Sequence, residues 1–531
     1  MRKLILSCSS FLIISVTSIC GQDNPAIKGL SAINQNVIQS QLDFLASDWM
    51  EGRRAGEKGE LISSDYIASM LRLYGVKPWG DRYPTINLAN EALIGERSYF
   101  QNFVLLKTSP GDEQALKLKI NENSSSKTID FTYNVDFSIR PLSSVEIEAP
   151  VVFAGYGFKS DKLKFNDLNR LDVKGKFILR ISGIPAFASQ KLSRTELNSA
   201  RRALEDFARE NGAAGIIDIN PASLTGRPVI QAFHNMSPAE NNPRPTNEYA
   251  EYSVPRAENP NNMVRLSVTL KTANEILRGT GISLLEYMRK ADINEPYTMQ
   301  PVQARSVYLK STVKTSPVGV RNVLGIIEGN NPDEIIVLGA HYDHVGMNNG
   351  FIWNGADDNA SGTVGVMTIA KAIMETGQKP DKSIVIALWT AEEEGLLGSE
   401  YYIANLTHPL KDLKLNLNFD MISRYISDDQ KDKVVMTYTS SNKNFRNITE
   451  GNLKKHEIEL AVEYQPSDDP PGGSDHRTFV QAGIPVMRFK PGHREEYHTP
   501  ADEINTIDWD IMEKIVRISF ANVWELANTE W

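Results

Sequence analysis

The chain is nearly free of cysteine. Two of its 531 residues are cysteines, Cys8 and Cys20, and both fall within the first 22 positions. A disulfide framework in the body of the protein is therefore excluded, and so is a thiol nucleophile there. No basic tail or Lys/Arg cluster occurs, and the net charge is −9, which argues against a nucleic-acid partner. No internal repeat is visible. The apolar stretch at 4–16 is shorter than the ~20 residues a membrane-spanning helix needs, so no stable membrane insertion is expected. What is present is ordinary for a globular protein: 41% hydrophobic and 23% charged residues. The length exceeds what one core usually holds and implies roughly two to four domains.

The first 21 residues read as an export signal, with Arg2 and Lys3, the apolar stretch, and a small-residue exit near Cys20–Gln22. Secretion or periplasmic release is the expectation. Lipid attachment at Cys20 is the weaker alternative, because Ile19 is a poor fit before it. Between 31 and 75, apolar residues recur at helical intervals on both sides of EGRRAGEKGE, where Arg53 and Arg54 read as a solvated turn. Strand-like runs follow at 100–106 and 116–120. The texture changes over 130–303, where Gly-ended strands, one helix and a Pro/Asn-rich stretch suggest a separate inserted module. The stretches 22–129 and 304–531 would then form one interrupted domain. From 322 onward strands alternate with helices: 334–339, 383–389, 415–419, 434–438 and 484–489 as strands, with helices between and after them. That pattern is layered α/β, with active groups at strand ends.

Residues able to carry chemistry gather at those strand ends. GAHYDHVG delivers His341, Asp343 and His344; GADDNASG supplies Asp357 and Asp358; TAEEEGLLGS supplies Glu392, Glu393 and Glu394. NFDMI ends in Asp420, GGSDH carries Asp475 and His476, and YHTPADE carries Tyr497 and His498. His341, one Asp of 357/358, one Glu of 392/393, Asp420 and His498 make a donor set for two close divalent ions, of which one carboxylate must bridge. Two imidazoles and three carboxylates suit zinc, with cobalt or manganese as substitutes. A neighbouring carboxylate free of metal could act as general base. Asp343 could fix the tautomer of His341. His476 reads as support for the site or as a helix start, and His234, His408, His456 and His493 as structural or exposed.

In this order the motifs resemble the co-catalytic dizinc aminopeptidase family, which includes bacterial leucyl aminopeptidases and glutamate carboxypeptidase II. The resemblance covers 322–528 well and the first 120 residues loosely, and 151–220 resembles a protease-associated domain. It implies a three-layer α/β/α peptidase domain with a central mixed, mostly parallel sheet, plus a β-rich protease-associated insertion. It also implies two Zn2+: one held by Asp358, Glu393 and His498, the other by Asp358, His341 and Asp420. Asp358 would bridge, Asp357 being the competing choice, and a cis peptide would follow Asp358. Glu392 would be the general base for a hydroxide between the ions, Asp343 would stand behind His341, and Tyr497 would stabilise the oxyanion. The implied activity is removal of N-terminal residues from peptides. A carboxypeptidase or other amide hydrolase on the same site, using Arg424 or Arg488, is the nearest alternative, and a non-catalytic binding protein on the same fold is another. The sequence is silent on oligomeric state.

Overall fold

The computed structural model describes residues 24–531 except 84–85, 88–91, 94, 123–124, 141, 220–249, 256–262, 349, 443 and 493. The expected export segment, both cysteines, His234 and His493 lie outside the described residues. No helix among the described residues is long and apolar enough to cross a membrane. The chain forms two compact units: 1–102 with 321–346 and 352–531, and 103–320 with 347–351.

The first unit begins with a short helix, Pro25–Ser31, followed by α1 (Gln35–Leu45) and α2 (Lys58–Leu73). Asn34 caps α1 by accepting the amide of Val37 at 3.1 Å, and Ile38, Leu42 and Leu45 form its buried stripe.

The second unit contains β1 (Phe137–Ile139), β2 (Val145–Phe153), β3 (Phe177–Ile181), α3 (Arg194–Glu210), β4 (Gly215–Ile219), β5 (Arg265–Val268), α4 (Leu270–Leu277), α5 (Leu284–Asp292) and the first part of β6 (Arg305–Ile327). The sheet order is β6–β2–β3–β4–β5–β1, in which β2 to β5 run parallel and the two outer strands antiparallel. Every residue of β4 is buried, as expected of a parallel strand covered on both faces. This unit is wider than the 130–303 block. The strand Phe100–Glu122 pairs with Ser125–Phe131, and residues 306–311 of β6 pair with β2, so both flanks join it.

The first unit resumes with residues 321–327 of β6 and continues through β7 (Asn331–His341), α6 (Gly362–Glu375), β8 (Lys382–Trp389), α7 (Leu397–Ala404), β9 (Leu413–Asn418), β10 (Lys433–Thr439), α8 (Asn444–Lys455), β11 (Ala461–Ser467), α9 (His476–Gln481), β12 (Val486–Lys490) and α10 (Trp509–Asn528). Its strands are ordered β11–β10–β12–β9–β7–β8–β6. The central four, β12, β9, β7 and β8, are parallel; β6 and β10 join them antiparallel. Side chains alternate between two cores, as strand geometry requires. Ile336, Leu338, Ile384, Ile386 and Leu417 pack with α1, α6 and α10, whereas Val337, Val385, Trp389 and Val486 pack with Tyr402 of α7 and Phe479 of α9. Helices on both faces of a mixed, mostly parallel sheet make the three-layer α/β/α domain.

Candidate metal centre

The parallel strands release their carboxyl ends on one edge of the sheet, where side chains on outgoing loops can converge. His341 is the last residue of β7, the acidic triplet follows β8, Asp420 follows β9, and His498 lies on the loop after β12. Asp357 and Asp358 precede α6. Several of these loops carry non-glycine residues in the left-handed region: Ala391 beside Glu392 (φ 55°), Met421 beside Asp420 (φ 58°), and His498 itself (φ 51°). Such conformations persist only where the surroundings enforce them, and they concentrate at functional sites.

Three overlapping groups of donor atoms converge, each within 4.8 Å: His341, Asp358 and Asp420; His344, Asp358, Glu393 and His498; and His341, Glu392 and Glu393. Asp358 divides its carboxylate between the first two. Its Oδ1 lies 3.3 Å from Nε2 of His341 and its Oδ2 lies 2.7 Å from Nε2 of His498. Glu393 Oε1 is 3.2 Å from the same His498 nitrogen. One carboxylate facing two clusters is the arrangement two adjacent cations require, and the buried mixture of imidazole and carboxylate fits borderline divalent metals.

Asp357 is engaged elsewhere. Its Oδ1 accepts the amide and hydroxyl of Ser423 at 3.0 and 2.7 Å, and its carbonyl accepts the Ser361 hydroxyl at 2.7 Å. The Asp358–Asn359 peptide is cis. Asn359 ties this turn to the loop bearing Asp420, donating to the Phe419 carbonyl at 2.9 Å and accepting the Met421 amide at 3.3 Å.

Asp343 is buried, and its carboxylate accepts the amides of Glu392 (3.1 Å) and Glu393 (3.3 Å), anchoring the acidic triplet. Nδ1 of His341 sits 3.2 Å from the main-chain oxygen of Asp343 and 3.8 Å from its carboxylate, so the backbone is the nearer orienting group. Tyr497 packs its ring 4.3 Å from that of His498. Burial, together with the nearby carboxylates, pushes its hydroxyl far above the usual tyrosine range.

The electrostatics separate the paired acids. Against the cost of burial, His498 and His344 hold Glu393 down to about 2, while burial and the charge of Glu393 push Glu392 well above the usual carboxylate range. Despite burial, Glu393 and Asp358 raise His498 to about 10, and Glu392 and Asp358 raise His341. The carboxylates thus favour positive charge at the imidazoles, which is the demand a cation would satisfy.

Three contributors were not legible as such. His344 donates to or accepts from Glu393 Oε1 at 2.8 Å through Nδ1, and Asp502 accepts the amides of Asp357 (2.9 Å) and Asp358 (3.0 Å). Both lie inside the quoted motifs, four or fewer residues from a donor, and that proximity was the available signal. Arg53, expected in a solvated turn, is instead 1% exposed. Its guanidinium faces four carbonyl oxygens, which replace the water a turn arginine would use. Of the arginines considered for carboxylate recognition, Arg424 is buried and paired with Glu496 at 2.9 Å, and Arg488 lies on β12 against Gly472.

Fold and donor set together define an α/β domain with a candidate site for divalent metal at the carboxyl ends of its parallel strands. The model described as Peptidase family M28 matches residues 322–523. Leucine aminopeptidase 2 of Trichophyton rubrum is 34% identical over 171 residues, 31% of this chain and 32% of that protein. Aminopeptidase Y of Saccharomyces cerevisiae is 27% identical over 39% of this chain and 38% of its own length. The matches therefore span about a third of the length of these curated relatives. Among solved structures, an aminopeptidase from Aneurinibacillus sp. strain AM-1 superposes with a TM-score of 0.58 at 18% identity, covering 95% of this chain and 97% of that one. A zinc aminopeptidase from Bacillus subtilis gives 0.51 at 20% identity, over 94% and 96%. At these identities the likeness is one of fold.

Proposed function

We propose that the chain is a dizinc exopeptidase that removes residues from the free amino end of peptides. The observation that carries this is the split carboxylate of Asp358, with a histidine and a further acid on each side and Glu392 alongside. His341, Asp358 and Asp420 would hold one ion, and Asp358, Glu393 and His498 the other. When bound, the ions would polarise the scissile carbonyl and acidify water. Glu392, 4.0 Å from Nε2 of His341, would in its ionised form accept the proton from the attacking water and pass it to the leaving amine. Asp343 would position Glu392 through its amide, and Tyr497, whose ring packs 4.3 Å from that of His498, would donate to the developing oxyanion.

The relatives named as aminopeptidases support the amino-terminal direction. The engagement of Arg424 by Glu496 removes one arginine that a carboxypeptidase reading would use. Export directed by residues 1–21, and a protease-associated role for the inserted module, belong to the same proposal.

Zinc content by atomic emission, with hydrolysis of leucyl-chromophore substrates bearing free or blocked amines, tests it. Two zincs per chain and cleavage of the free amine alone are expected. Equal cleavage of the blocked substrate, or absence of metal, would overturn it.

A further inference from the structure

We propose that Arg53 is a positioning residue: with its loop it forms a brace that sets the spacing of the metal-ligand loops. The loop Asp48–Arg53 precedes α2 and turns through three consecutive left-handed residues, Glu51 (φ 49°), Gly52 (φ 68°) and Arg53 (φ 51°). A Cβ on Gly52 would collide with the carbonyl oxygens of Gly346 and Trp353, so only glycine lets the loop seat between those two segments.

This seating aims the Arg53 side chain inward. Nε donates to the Tyr342 carbonyl at 2.8 Å, Nη1 to those of Leu45 at 2.7 Å and Asn354 at 2.6 Å, and Nη2 to that of Gly355 at 3.0 Å. Tyr342 adjoins His341, and Gly355 lies three residues before Asp358. The Arg53 carbonyl in turn accepts the amide of His344 at 3.2 Å, and Arg54 Nε reaches Glu394 Oε1 at 3.3 Å, next to Glu393. Three ligand-bearing loops, far apart in sequence, are thus tied to one short segment.

The chemistry explains the choice of arginine. A guanidinium presents five donors in a planar fork, and here four of them meet carbonyls on three separate segments: the end of α1, Tyr342 after β7, and the adjacent pair Asn354 and Gly355. A lysine ammonium in the same place is a point donor and cannot span them. The cation also lies at the back of a cluster of carboxylates, where it offsets their mutual repulsion without occupying a donor position.

The inference rests on the two-metal reading, and its test separates the two. Zinc affinity of the full chain would be measured by competition with a chromophoric chelator for wild type, Arg53→Lys and Arg517→Lys. Arg517 also clamps carbonyls, those of Leu30 and Ile33, away from the ligand loops, and so controls for simple loss of stability. The expected result is a zinc Kd about ten- to a hundredfold weaker in Arg53→Lys, as for loss of groups that orient metal ligands, and unchanged in Arg517→Lys. Wild-type affinity in Arg53→Lys, or an equal loss in both variants, would overturn the brace. A wild type that binds no zinc would sink the two-metal reading instead. Should Arg53→Lys fail to fold, hydrogen exchange of the wild type decides: zinc should protect 48–54 together with 342–346, and protection of 342–346 alone would overturn it.

Discussion

Two adjacent aspartates illustrate how much a single position decides. Asp357 and Asp358 are indistinguishable by charge and spacing, yet one is bonded to Ser423 while the other faces two imidazoles. Asp358→Asn should bind no zinc tightly, whereas Asp357→Ala should keep both ions and lose about 1–3 kcal/mol of stability from the unpaired Ser423 groups. Zinc analysis paired with denaturant melts reads both. Glu392→Gln should retain metal and lower kcat about a hundred- to ten-thousandfold, read by steady-state kinetics. His341, Glu393 and Asp420 are conspicuous in the sequence because each closely follows an apolar strand, whereas Asp358 and His498 lie on longer polar loops. The roles of Asp343, Asp502 and Arg53 were not legible, because they act through main-chain amides and carbonyls, which no side-chain pattern announces.

Elements with continuous apolar runs were also legible. The expected strands at 334–339, 383–389 and 434–438 lie inside β7, β8 and β10, since strands buried on both faces read as unbroken hydrophobic stretches. The strand β11 was not anticipated. It pairs with β10 alone, alternates between half-buried and exposed residues, and contains Pro466, so it has no apolar run to reveal it. In the second unit, Asp167 accepts the amides of Tyr156 (3.1 Å) and Phe158 (3.2 Å) and the hydroxyl of Tyr287 (2.7 Å), and burial raises it to about 7. An acid raised on folding binds more protons folded than unfolded, so its contribution is fullest below the ordinary value of 3.8 and is lost as pH climbs through about 7. Stability should therefore fall across that window, and Asp167→Asn should flatten the slope in pH-dependent melts. A slope unchanged in the variant would assign it to other groups.

At the scale of the whole chain, the seven tryptophans, Trp49, Trp79, Trp353, Trp389, Trp509, Trp524 and Trp531, all belong to the first unit. Tryptophan fluorescence, excited selectively beyond the tyrosine band, therefore reports that unit. A ligand bound only by the folded form stabilises it by about 4 kcal/mol at a thousandfold excess over Kd. Chelation should accordingly lower the fluorescence-detected melt, while melting of the second unit, followed by hydrogen exchange of β3 and β4, stays put. The change of texture near 130 falls inside the second unit, whose edges near 103 and 320 the sequence does not mark, because the long flanking strands look alike on either side of the boundary.

The central claim is that Asp358 stands between two cations. Diffraction from zinc-loaded crystals at the zinc absorption edge measures this directly. Two anomalous peaks are predicted, one contacting His341 and Asp420, the other Glu393 and His498, with an Asp358 oxygen on each; a single peak, or peaks away from Asp358, would contradict the account.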